Sequence, residues 1–121
     1  MYDSSNKSPD SLMPLSVPVF QILLSLAESD KHGYGIIGDV RDRSRNEVVL
    51  STSTLYGAIK RMMRDGLVER SDMRPDPELD DERRRYYRIT DFGRQVAECE
   101  AQRITRLADI VRDSQFVART P

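Results

Sequence analysis

A chain of 121 residues that is 38% apolar, with 19 Lys and Arg against 20 Asp and Glu for a formal net charge of −1, has the size of one domain with one modest core. No apolar run approaches the ~20 residues of a membrane-spanning helix, and the N-terminus lacks the basic-then-apolar layout of a secretory signal, so a cytoplasmic protein without membrane contact is expected. Cys99 is the single cysteine and His32 the single histidine, which excludes an intramolecular disulfide and a Cys/His zinc site built from one chain. The sequence offers no Gly-rich phosphate loop and no nucleophile–base pair either, so no metal, no cofactor and no enzymatic activity are expected.

In chain order, Met1 to Met13 is rich in Ser, Asp, Asn and Pro without apolar periodicity and reads as a mobile leader, with order beginning near Pro14. Ser16 is positioned to cap a first helix that tolerates Pro18 in its first turn and carries Val19, Phe20, Ile22, Leu23, Leu24 and Leu26. Ile36, Ile37 and Val40 recur at helical spacing in a second helix from His32 to about Arg43, despite three glycines. Glu47 to Leu50 is short and β-prone. Ser51 or Ser53 then caps a third helix with Leu55, Ala58, Ile59 and Met62 along one stripe, stopped at Gly66.

Leu67 to Met73 and Arg84 to Ile89 read as the strands of a hairpin whose long polar tip, Arg74 to Arg83, holds Pro75 and Pro77. Thr90 caps a final helix with a narrow apolar stripe through Phe92, Val96, Cys99, Arg103, Leu107 and Ile110 or Val111. Such a stripe at the end of a chain has little domain left to cover it. A second copy is the economical partner, and Phe20, Val96, Cys99, Arg103, Leu107, Ile110 and Val111 are the expected dimer contacts.

The expected class is therefore mainly α with a small β-hairpin. A winged helix-turn-helix over residues 14–90 is followed by a C-terminal dimerisation helix over 91–121. In that layout the third helix has one face for the core and one for a DNA duplex. Ser51, Ser53, Thr54, Tyr56, Gly57, Lys60, Arg61 and Arg64 fall on the outward face, where hydroxyls and cations suit phosphate and base contacts.

In the wing, Arg83, Arg84, Arg85 and Arg88 stand beside Asp76, Glu78, Asp80, Asp81 and Glu82. The reading there is divided between a phosphate clamp, with Arg83 and Arg84 as its best members, and an ion-pair network with the acidic tip. Arg85, sharing a strand face with Tyr87 and Ile89, is read as structural. The near-neutral charge and acidic tip also keep open a second class of function, a winged-helix protein-interaction module that does not read DNA.

Three stretches carry a resemblance: HGYGI at His32 to Ile36, STLYGAIKRMMRDGLVER at Ser53 to Arg70, and RRRYYRITDFG at Arg83 to Gly93. Together, in this order, they resemble the PadR-like transcriptional regulators, in the compact branch whose dimerisation part is essentially one helix. The resemblance implies a cytoplasmic homodimer, usually a repressor, that contacts double-stranded DNA through the third helix and wing and dimerises through the last helix and often the first. In some relatives an aromatic small molecule occupies a dimer-interface cavity, so a small aromatic or amphipathic effector belongs to the implied picture; Phe20 and Phe116 are the scattered aromatic candidates here and are read as core or dimer residues ahead of effector contacts. Two positions depart from the family pattern: Ser53 stands where glycine is usual, and Gly57 where proline often follows.

Of the remaining residues, His32 is expected to be structural or a cap, and Tyr34 and Tyr87 half-buried. Gly57 should cost about 1 kcal/mol relative to alanine in a helix interior, which leaves close packing or close approach of DNA as its reasons.

Overall fold

The structure is a computed structural model that describes residues 8–72 and 85–114. Its elements are α1 (Val17–Glu28), β1 (Lys31–His32), α2 (Gly33–Arg43), α3 (Thr52–Arg64), β2 (Val68–Ser71), β3 (Tyr86–Ile89) and α4 (Asp91–Arg112).

Local hydrogen bonds set the helix starts. The hydroxyls of Ser16, Ser51 and Thr90 accept from the backbone N–H three residues on, and His32 does the same for Gly35 through Nδ1 at 3.1 Å. The end of α3 is equally well defined. Gly66, at φ +78°, lets Leu67 N–H reach the Met62 carbonyl (2.8 Å) while its own N–H reaches Met63 (3.2 Å), the paired bonds of a Schellman stop.

One core gathers all four α-helices and strands β2 and β3. Ile22, Leu23 and Leu26 of α1, Ile36 and Val40 of α2, Leu55, Ala58, Ile59 and Met62 of α3, Val68, Tyr87 and Ile89 of the sheet, and Val96 and Ala97 of α4 are all buried. The sheet order is β1-β3-β2, antiparallel throughout, with Val68 opposite Ile89 on the core side and Glu69 opposite Arg88 on the other. That outer pair closes an ion pair at 3.0 Å, and half-exposed pairs of this kind contribute less than about 1 kcal/mol.

The structure departs from the sequence expectations in several places. Pro9–Leu12 forms a short 3-10 helix, and Leu12, Met13 and Leu15 pack on the core, so order begins well before Pro14. A few apolar side chains dock there without helical periodicity. Glu47 to Leu50 is not a strand: Leu50 is buried and Val49 exposed, as alternation predicts, but no strand among the described residues pairs with it. The sheet has a third strand, Lys31–His32, paired to β3. Finally, Arg85 is exposed and precedes β3, so it does not share the buried strand face of Tyr87 and Ile89.

The core continues past residue 91 into α4. The first half of α4 buries Val96, Ala97 and Glu100 in the same unit as α1. Residues 1–7 of the expected leader, the wing tip with Arg83 and Arg84, and Phe116 lie outside the described residues.

Candidate nucleic-acid interface

Burial divides α3 as its periodicity predicts. Leu55, Ala58, Ile59 and Met62 are buried, and Ser51, Thr52, Ser53, Thr54, Tyr56, Lys60, Arg61, Met63 and Arg64 are exposed. At its N-terminal end three hydroxyls form a chain. Ser51 Oγ takes the Thr54 N–H (3.1 Å), donates to Thr54 Oγ1 (2.9 Å) and lies 3.3 Å from Ser53 Oγ. Further along, Arg64 pairs with Asp65 at 3.3 Å, whereas Lys60 and Arg61 have no ion-pair partner among the described residues. Two uncommitted cations on an exposed helix face are available to an anionic partner.

Tyr56 is 40% exposed and reaches from α3 to the start of α2. A Cβ on Gly33 would lie 2.1 Å from its hydroxyl, so the missing side chain at 33 is what seats the phenol. Burial, together with the nearby phenols of Tyr87 and Tyr34, raises the pKa of that hydroxyl above its ordinary value. It stays protonated at neutral pH and able to donate.

Gly57 has no comparable packing reason. A Cβ there would meet only Arg61 Nη1, at an ordinary 3.6 Å. Of the two reasons for a glycine in mid-helix, close packing within the protein is therefore removed.

Around the other expected site the structure redistributes roles. Val96 is fully buried in the protomer's own core and so is not available to a partner. Phe20 is half-buried against the core, and Cys99 donates to Asp10 Oδ1 at 2.9 Å. Arg103 is committed to Glu100 by two bonds, of 2.5 and 3.1 Å. Leu107 (48% exposed), Ile110 (64%) and Val111 are left open, joined by Ile104, which the sequence reading did not select.

Glu100 was also missed. It is only 2% exposed and accepts the Leu15 N–H at 3.2 Å as well as the Arg103 guanidinium, which holds its carboxyl below the usual range. His32 is the cap expected of it, with its ring edge-on to Tyr86 at 5.3 Å. Tyr34, expected half-buried, is 67% exposed.

The model of the PadR-like transcriptional regulators matches residues 22–99, well over half of the chain and the whole stretch from α1 into α4. The chain belongs to the PadR-like family. Solved structures share the fold over nearly their full length. A transcriptional regulator from Clostridium thermocellum is 24% identical with a TM-score of 0.66, covering 90% of this chain and 98% of its own. A PadR family regulator from hypervirulent Clostridium difficile is 26% identical at 0.65, covering 80% and 96%. A PadR-like regulator from Bacillus cereus is 21% identical at 0.69, covering 87% and 94%.

An uncharacterised protein of Lysinibacillus sphaericus is 31% identical over 75 residues, a match that covers 60% of this chain and 64% of that protein's length. The architecture is thus the DNA-binding winged helix of the PadR-like family, whose members are transcriptional regulators rather than enzymes. No helix among the described residues is long and apolar enough to cross a membrane.

Proposed function

We propose that this PadR-like protein is a cytoplasmic transcriptional repressor that binds a pseudo-palindromic operator as a homodimer. One α3 enters the major groove at each half-site, with the two about 34–36 Å apart. The observation that carries the reading is the outward face of α3. Its hydroxyls, Tyr56, and Lys60 and Arg61, which have no ion-pair partner among the described residues, stand opposite an unbroken buried stripe, so the face is presented rather than packed. Ser51, Ser53, Thr54, Tyr56, Gly57, Lys60, Arg61 and Arg64 are its DNA contacts, and Arg83 and Arg84 are added to them from the sequence alone. A small aromatic or amphipathic effector that releases DNA belongs to the reading on the family resemblance alone.

The test is fluorescence anisotropy against a duplex from upstream of the protein's own gene and a scrambled duplex, at several salt concentrations. Specific, salt-sensitive binding is expected. Lys60→Ala should weaken it about 10-fold and reduce the slope of log affinity against log salt by about 1. Equal affinity of variant and wild type would remove Lys60 from the site. Absence of binding to either duplex at low salt would favour the protein-interaction alternative.

Gly57→Ala separates stability from function. Filling an open helical position should stabilise the fold by about 1 kcal/mol, while a methyl group on the outward face weakens DNA binding. Thermal melting and anisotropy should therefore move in opposite directions. A more stable variant that binds as well as wild type would show that DNA does not approach this backbone.

A further inference from the structure

Tyr34 stands one residue into α2, 67% exposed, with no hydrogen-bond partner for its phenol among the described residues. A phenol that large gains little by standing in water, and aromatic side chains with a polar tip are characteristic of contact surfaces. Its position is also not isolated. The neighbouring Gly33 seats the Tyr56 hydroxyl, which brings the exposed face of α3 against the start of α2.

The residue on the other side of Tyr34 is again glycine. A Cβ on Gly35 would meet Lys31 and His32 no closer than 3.6 Å, an ordinary contact, so packing does not demand glycine there. Tyr34 is thus an exposed phenol without a hydrogen-bond partner among the described residues, near enough to Tyr56 of α3 for the two phenols to act on one another, and so beside the α3 face.

Resting on the DNA-binding reading above, we infer that Tyr34 is a second-helix contact to the phosphate backbone beside the groove that α3 occupies. Tyr56, pinned over Gly33, positions α3 against it. The phenol donates a hydrogen bond to a non-bridging phosphate oxygen. A contact at the rim meets the sugar-phosphate ridge, not base edges, and so adds affinity without sequence preference. Being neutral, it releases no counterion.

That combination gives a signature which neither a cationic contact nor a structural role shares. Tyr34→Phe keeps the ring and removes one hydroxyl from an exposed site. Full-length variant and wild type are compared by anisotropy on an upstream-region duplex and a mixed-sequence duplex across a salt series, with thermal melting alongside. The expected result is a loss of about 10-fold on both duplexes alike, an unchanged salt slope and an unchanged Tm. Unchanged affinity overturns the inference, as does a loss confined to one duplex, which would mean a base contact. A loss accompanied by a lowered Tm also overturns it, because the hydroxyl would then be holding the fold. If wild type binds neither duplex, the function itself fails, and that outcome is distinct from a Tyr34→Phe protein that binds as wild type does.

Discussion

Gly93→Ala should destabilise the protein by about 3 kcal/mol and lower its Tm by roughly 10 °C. A Cβ at 93 would lie 2.2 Å from the Leu67 carbonyl oxygen, 2.9 Å from Ile89 Cγ1 and 3.1 Å from the Leu67 carbonyl carbon. Two of these three atoms are backbone and have no rotamer by which to yield. The Leu67 oxygen is further held by the Thr90 N–H (3.0 Å) and the Thr90 hydroxyl (3.1 Å), and that hydroxyl also donates to the Gly66 carbonyl at 2.6 Å. The Gly93 N–H in turn donates to Thr90 Oγ1 at 2.9 Å, so the first turn of α4 and the chain entering β2 form one rigid junction. Thermal melting of the purified variant decides the matter, and a Tm equal to wild type would show that the junction relaxes freely.

Leu107→Asp is expected to convert a dimer to a monomer without loss of helix. Ile104, Leu107, Ile110 and Val111 leave an apolar face on the outer half of α4, and Val17 adds an exposed apolar side chain on α1, the helix packed beside it. A charge buried without a partner opposes association, while in the free monomer the aspartate stays in water at no comparable cost. Losing the dimer also removes the linkage between two DNA-binding modules, so affinity for a two-site operator should fall by roughly 100-fold or more. Light scattering and circular dichroism separate the outcomes. An unchanged mass for variant and wild type would place the dimer contact elsewhere.

What the sequence revealed and what it hid follow from the range of the interactions involved. Helix caps at Ser16, His32, Ser51 and Thr90, and the stop at Gly66, are contacts between near neighbours in the chain, so composition and spacing expose them. The two faces of α3 were legible for the same reason. Strand β1 was not, because its two residues are too few to alternate and its partner β3 lies far along the chain.

The misassignment of Val96 has a different origin. Periodicity shows which residues share a helix face, but not where along that face the protomer's own core ends, and in α4 the boundary falls between Glu100 and Ile104. Glu100 itself escaped notice because a carboxylate inside an apolar stripe is buried only through partners, here Arg103 and the Leu15 N–H, that no local pattern predicts. For Tyr34 the signal was present. Gly33, Ile36 and Val40 define the buried side of α2, and Tyr34 falls off that line.

The proposed function requires one arrangement, two copies of α3 presented by one dimer to one duplex. Sedimentation equilibrium of the protein with an operator-length duplex from upstream of its own gene, at low salt, measures it directly. A saturated complex of two chains per duplex is the predicted result, whereas one chain per duplex, or no complex, would contradict it.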